Sequence, residues 1–412
     1  MRIFISTGEV SGDLQGAMLV EALKRRAIQL QLELEIVGIG GDRMAAAGAT
    51  LIANTMAIGS MGLFESLPFV LPTLEVQRRA KQYLQSNPVD LLILIDYLTP
   101  NIAIGTYVKE NLPNLPIVYY IAPQDWVWAP LLAQNQGLFK FTARLLMQNT
   151  KQLVKITNRL LAIFPEEARY FQEKGISATW VGHPLLDRIQ EAPSRELARQ
   201  SLGIKPEQTA IALIPASRQQ ELKYLLPVIL QAARQIQEKL PSATFLIPVS
   251  LDKYHSAIEE AVKKYQLQAK ILSGQTLEAI AASDLAIAKS GTVNLEIALL
   301  NVPQVVLYRV NPLTIWIARQ LFKFSIPFVS PPNLVTMKAI VPELFQEQAT
   351  PEKIGRESLE LLLNQSKRDQ TLVDYQKMRS LLGEVGVCDR AASQIFDFII
   401  KKNATKISHY SL

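Results

Sequence analysis

Three short stretches of this 412-residue chain gather side chains able to do chemistry. The first is Ser6-Thr7-Gly8-Glu9-Val10-Ser11-Gly12-Asp13. It places two carboxylates, Glu9 and Asp13, at a glycine-bearing turn that holds no Lys. Such a turn repels phosphate but accepts hydrogen bonds from sugar hydroxyls, so it reads as a polyol site. Its glycine spacing is neither the dinucleotide fingerprint nor a P-loop. Asp13 would serve equally well as an ordinary helix cap.

The second stretch is Pro215-Ala216-Ser217-Arg218, between an apolar run and a helical one. Backbone N–H groups at a helix start, a hydroxyl and a guanidinium together make a diphosphate clamp. Alternatively, Arg218 pairs with Glu221 on the surface. The third is Lys289-Ser290-Gly291-Thr292, again where a strand would run into a helix. Glu296 shares a helix face with Thr292, and its carboxylate there could accept the two hydroxyls of a ribose. Capping or packing is the other reading of Glu296, and solvation that of Lys289.

These stretches need a scaffold, and the hydrophobic pattern supplies one. In the first half, strands are expected at Arg2–Ser6, Leu34–Ile39, Asp90–Ile95 and Pro116–Ile121. Helices are expected at Leu14–Arg26, Leu71–Ser86 and Asn101–Glu110, with a glycine-rich turn at Gly38–Gly41. A second series starts near residue 200. It has strands Thr209–Pro215, Thr244–Pro248, Ala269–Leu272, Leu285–Ala288 and Gln304–Leu307. Helices Leu222–Lys239, Tyr254–Tyr265, Thr276–Ala282 and Val293–Leu300 fall among them. Alternation of this kind predicts α/β architecture: two doubly wound, Rossmann-like domains facing each other across a cleft. The expected domains are 1–185 and 195–380, with a linker around Val181 to Ser194. The segment 381–412, amphipathic over Ala391–Lys402, would pack on the N-terminal domain or on a partner subunit.

Composition narrows the function classes. One cysteine, Cys388, and three histidines leave no disulfide scaffold and no cysteine or histidine-rich metal cluster. A strand at the very start argues against a signal peptide. Apolar windows such as Leu91–Val108 are broken by Asp96, Pro100 and Asn101, so a soluble or peripheral protein is expected. The net charge of +6 favours anionic partners. Nucleic acid is not expected, because no helix-turn-helix, zinc knuckle or aromatic-basic RNA motif accompanies that charge.

In order and spacing, these stretches resemble the lipid-A-disaccharide synthases, inverting glycosyltransferases of the GT-B architecture. The resemblance also rests on Gly38-Ile-Gly-Gly-Asp42, Ile95-Asp-Tyr-Leu-Thr-Pro-Asn101, Pro123-Gln-Asp-Trp-Val-Trp128 and Trp180-Val-Gly-His-Pro184. Tyr308-Arg-Val-Asn-Pro312 and Pro332-Asn333 complete it. It implies transfer of a sugar from UDP-2,3-diacylglucosamine to 2,3-diacylglucosamine 1-phosphate (lipid X), with inversion and release of UDP. By resemblance, Ser217, Arg218, Ser290, Gly291, Thr292 and Glu296 hold UDP. Gly8, Ser11, Gly12, Asn101 and Asn333 line the substrate side, and Asp96, Glu9 or Asp13 acts in catalysis. No metal or cofactor is implied, because Arg218, Lys289 and helix amides can neutralise the diphosphate.

The chain also departs from the family pattern. The family's D-A-P-D-F-N motif is Asp96-Tyr-Leu-Thr99-Pro-Asn101 here, so its second aspartate, a base in the family, is Thr99. Ala216 stands for the usual glycine of G-S-R, and Tyr119 for a histidine. Thr336-Met-Lys338 replaces an expected arginine, and the 131–149 stretch is longer than the family's. Acylated substrates imply a peripheral position on the cytoplasmic face of the inner membrane. Leu138–Met147 and Ile315–Phe324, both mixing aromatics with cations, are the stretches suited to dock there. Core packing accounts for the same composition. A homodimer is compatible with the family, and His183 reads as a hinge residue. Other readings keep the fold: a UDP-sugar glycosyltransferase or 2-epimerase with another acceptor, or a silent paralogue that binds UDP-sugar or lipid.

Overall fold

The apolar runs form two parallel sheets in a computed structural model, which describes residues 1–56, 69–123, 148–216, 219–249, 251–309 and 328–410. The chain divides into two compact units. The first takes in Met1–Asp187 and the segment from Leu382 onward, and the second is drawn from the stretch between Arg188 and Leu381.

The first unit holds β1 (Arg2–Ser6), β2 (Glu35–Gly40), β3 (Thr50–Asn54), β4 (Leu91–Ile95), β5 (Ile117–Tyr120), β6 (Arg159–Ala162) and β7 (Ala178–Trp180). They lie in the order β3-β2-β1-β4-β5-β6-β7. Every neighbouring pair is parallel. Ile3, Phe4 and Ile5 of β1 and all of β4 are buried, as strands covered on both faces require. The expected turn at Gly38 begins later than the pattern suggested, because β2 runs through Gly40. Gly38 is a packing glycine: a Cβ there would lie 2.1 Å from the Ile5 carbonyl oxygen of the neighbouring strand.

The second unit holds β8 (Ala210–Ile214), β9 (Thr244–Val249), β10 (Ala269–Ser273), β11 (Leu285–Lys289), β12 (Gln304–Tyr308) and β13 (Glu343–Phe345). Their order is β10-β9-β8-β11-β12-β13, again parallel throughout. In both sheets strand order reverses beside the first strand, between β1 and β4 and between β8 and β11. Ligands of open parallel sheets bind at the carboxyl ends beside such a reversal.

Two helices begin earlier than their hydrophobic periodicity indicates. The first runs over Glu9–Gln29, so Ser11, Gly12 and Asp13 stand in its opening turns and not in a loop. Another spans Leu98–Asn111, which places Thr99 in its first turn. The helix Val387–Tyr410 returns to the first unit and packs on Glu9–Gln29, with Arg25 and Asp389 paired at 2.7 Å.

Candidate active site

Four non-glycine residues with left-handed backbone gather at the carboxyl ends of β1, β4 and β5. They are Glu9 (φ 62°), Asp96 and Tyr97 (both φ 45°), and Ile121 (φ 65°). A β-branched residue in this region is a genuine outlier, and strain of this kind clusters at functional sites. Gly8 joins two of these loops. A Cβ there would lie 2.5 Å from the Tyr97 ring, so only glycine lets the turn after β1 close on the turn after β4. Gly12 is likewise packed, its missing Cβ 2.2 Å from Thr7 Oγ1. Burial raises the Tyr97 phenol, and a hydrogen bond with Thr73 opposes it.

Asp96 is held by its backbone. Its N–H donates to the carbonyls of Ile121 (3.1 Å) and Tyr120 (3.4 Å). Its own carbonyl accepts the Tyr119 hydroxyl at 2.6 Å and Asn101 Nδ2 at 2.8 Å. Glu9, Ser11 and Asp96 are partly exposed and Thr99 is exposed.

Asn101 stands differently from its expected substrate-lining position. It is wholly buried, its Oδ1 accepts Ser6 Oγ at 2.6 Å, and its Nδ2 also donates to the Ile95 carbonyl at 3.1 Å. It braces the end of β1 against the end of β4. Asp13 is also committed elsewhere. At 3% exposure, its carboxylate accepts the N–H groups of Gly41 (2.9 Å), Met44 (3.0 Å) and Arg43 (3.1 Å). It therefore caps the short helix Asp42–Ala46 from a distant part of the chain. Of the three carboxylates expected in catalysis, Glu9 and Asp96 belong to partly exposed residues and Asp13 to a buried one.

In the second unit, Ser290, Gly291 and Thr292 follow β11, beside the reversal. Ser290 N–H donates to the Leu307 carbonyl at 2.7 Å, and its hydroxyl to that of Val329 at 2.6 Å. Gly291 N–H donates to Asn294 Oδ1 at 2.8 Å. Asn294, fully buried, is fixed in turn by Gln304, whose amide also meets the Tyr375 hydroxyl. Glu296 is buried on the helix Val293–Leu299. Lys289 pairs with Glu221 at 3.2 Å, and both side chains are largely buried. Ser217 and Arg218 lie outside the described residues, as do Leu138–Met147, Ile315–Phe324 and the Trp126-Val-Trp128 segment.

Asn333 does not reach outward either. It is fully buried, and its Oδ1 accepts Ile340 and Val341 N–H at 2.7 and 2.9 Å. Its Nδ2 donates to Glu343 Oε1 at 2.7 Å and to the Val341 carbonyl at 3.0 Å. Glu343 also receives the N–H groups of Val329 and Ser330 at 2.9 Å each. Asn333 thus secures the turn on which Ser290 rests.

Sequence reasoning missed Glu167. It has no exposed surface and accepts Ala122 N–H at 2.9 Å on one oxygen, and Ile163 (2.9 Å) and Phe164 (3.3 Å) N–H on the other. Burial pushes its carboxyl up to about 7, against the pull of those N–H groups, and the charge of Asp96 adds to the rise. The signal was present in Phe164-Pro165-Glu166-Glu167, with Pro opening a helix and Glu at its third position. His183 is buried beside Phe164, its ring centroid 5.6 Å away. Its Nδ1 accepts Leu185 N–H at 3.3 Å, and burial lowers its pKa to about 3, so it is neutral and structural.

No described helix is long and apolar enough to cross a membrane. The family model for lipid-A-disaccharide synthetase matches residues 3–398. The lipid-A-disaccharide synthase of Gloeothece citriformis is 63% identical over 399 residues, spanning 97% of this chain and 100% of that protein. That of Synechocystis is 58% identical over 400 residues, spanning 97% and 98%. Among solved structures, the UDP co-structure of S. aureus MnaA matches with TM-score 0.64 at 13% identity, covering 97% of this chain and 96% of that one. The calicheamicin glycosyltransferase CalG4 matches with TM-score 0.58 at 14% identity, covering 97% and 98%. At such identities the structures establish the fold, which is GT-B, and the sequence matches establish more: the chain belongs to the lipid-A-disaccharide synthetase family.

Proposed function

We propose that this protein transfers the sugar of UDP-2,3-diacylglucosamine to the 6-hydroxyl of 2,3-diacylglucosamine 1-phosphate, giving a β-1,6-linked disaccharide phosphate and UDP. The observation that carries this reading is the family match over residues 3–398. The loops at the strand-order reversal of each unit support it, because one bears the partly exposed carboxylates Glu9 and Asp96 and the other a serine-glycine-threonine turn with a buried glutamate.

Inversion requires one displacement. The acceptor oxygen bonds to the anomeric carbon as the bond to the diphosphate breaks, and the hydroxyl proton passes to a carboxylate. Thr99 cannot take that proton near neutral pH. Asp96 is the assigned base, because its backbone is fixed from three sides while its side chain stands partly exposed. Glu9, on the facing loop, is the second candidate. Ser290, Gly291, Thr292 and Glu296 are assigned to UDP, together with Ser217 and Arg218. Two acylated substrates place the working enzyme on the cytoplasmic face of the inner membrane as a peripheral protein, alone or as a homodimer.

The test is an end-point assay of purified protein with both acylated substrates in mixed micelles, scoring disaccharide and UDP. Product establishes the reaction despite Thr99. Intact UDP binding without product would move the assignment to another acceptor or to a silent binding protein.

A further inference from the structure

The Glu167 carboxyl joins the ends of two strands. One oxygen takes the N–H of Ala122 just after β5, and the other takes Ile163 and Phe164 just after β6. Between β5 and Ala122 lies Ile121, held at φ 65°, whose carbonyl is the 3.1 Å acceptor for Asp96 N–H. Ile121 N–H donates in turn to the Leu161 carbonyl of β6 at 3.2 Å. A β-branched residue keeps this conformation only where its surroundings over-determine it. Here the fixing groups on either side of Ile121 are the β6 backbone and Glu167. The chain of contacts therefore runs from Glu167 to Ala122, through the constrained Ile121 carbonyl, to the amide of Asp96.

We propose that Glu167 is a positioning residue for Asp96, holding the β5 turn that sets the Asp96 backbone. This rests on the synthase reading for its kinetic consequence, but not for its structural one. The ionised carboxylate satisfies all three N–H groups, whereas a protonated one turns an O–H toward donors and loses an acceptor. The titratable groups acting around it are Asp96 at the end of β4 and Tyr120 on β5, whose phenol burial and neighbouring charges push well up. His183, beside Phe164, stays neutral. Glu167 is half ionised at about pH 7, so its control of Asp96 varies over the neutral range.

The experiment compares wild type and Glu167→Gln in the full chain. In Glu167→Gln, kcat is expected to fall by roughly 10- to 100-fold with KM within about twofold, as a small misplacement of a reacting group produces. The rise of kcat through neutral pH should flatten with it. Unchanged kcat and pH profile would overturn the proposal. Amide hydrogen exchange supplies a readout independent of the reaction: the peptide over Ile95–Asn101 should lose protection while β8 and β11 keep theirs. Should wild type yield no disaccharide, the synthase reading fails and exchange alone decides Glu167, unchanged protection overturning its role. If Glu167→Gln does not fold, exchange of wild type on either side of pH 7 replaces it. Protection of Ile95–Asn101, corrected for intrinsic rate, must then decrease as pH rises through about 7, because opening the turn returns the Glu167 carboxyl to its ordinary lower value, and a flat result refutes the proposal.

Discussion

Asp187 accepts the backbone N–H of Cys388, 201 residues later in the chain, at 2.8 Å. The same carboxylate accepts Gly386 and Val387 N–H at 2.6 and 3.1 Å, so it caps the helix Val387–Tyr410 from outside. His183 N–H donates to the Leu382 carbonyl at 2.9 Å and Arg390 Nε to the Val181 carbonyl at 3.1 Å. The chain leaves the first unit and re-enters it beside these bonds. Asp187→Ala should cost about 1–3 kcal/mol of stability, as loss of a multiply bonded cap does. Cys388 reports on it directly: its thiol is buried and pushed up by burial and by Asp187, so alkylation in wild type should be slow. Faster labelling in Asp187→Ala under native conditions is the expected outcome, and equal rates would show that the cap does not hold this helix end.

Asp13 should behave as a structural residue. Asp13→Ala strips three N–H groups of their acceptor and should lower the unfolding free energy by about 1–3 kcal/mol in urea titration. A variant as stable as wild type but without turnover would return Asp13 to the reaction.

The two switch-point loops should separate binding from turnover. Asp96→Asn should leave UDP affinity unchanged by calorimetry while turnover falls by roughly 10²- to 10⁴-fold, the scale of a lost general base. Glu296→Ala should weaken UDP by about tenfold or more, equivalent to ~1.4 kcal/mol. Normal turnover in Asp96→Asn would pass the base role to Glu9.

Acid stability should carry two opposed contributions. His183 drops from its usual 6.5 to about 3 on folding, so the unfolded chain binds the extra proton between those values. That contribution is complete above about 6.5 and is lost as pH falls toward 3. Glu167 rises from 4.5 to about 7, so the folded chain binds the extra proton, and stability declines as pH climbs from 4.5 through 7. Melting temperatures across this range should therefore be flatter in wild type than in either single variant. His183→Asn should leave a net decline with rising pH, and Glu167→Gln a net increase. Parallel curves for all three proteins would refute the assignment.

The central strands β1, β4, β8 and β11 were legible because both faces are buried and each carries a run of three to five consecutive apolar residues. β3, β6, β7 and β13 were not: β3 is a half-exposed edge strand, β6 has four residues and the other two only three each, too few for a period to register. At the site, residue types were readable but their directions were not. Asn101 and Asn333 look like ligand-facing amides in sequence, yet every hydrogen-bonding group of each is spent on the fold. Asp13 looks like a partner of Glu9, yet the helix that starts at Glu9 turns it toward Gly41. Glu167 lay in a helix-start signature that gave no hint of its reach to Ala122, because that contact joins segments 45 residues apart.

The return of Val387–Tyr410 to the first unit orders the assembly of the protein. The second unit is drawn from the stretch between Arg188 and Leu381, and its sheet can form once that stretch has emerged from the ribosome. The first unit, although translated earlier, waits for its closing helix on Glu9–Gln29 and for the donors that satisfy Asp187. Its final contacts therefore span nearly the whole chain, and late non-local closure of this kind is slow. The half of the molecule made first is the half finished last, and it exposes the apolar face of Glu9–Gln29 throughout that interval.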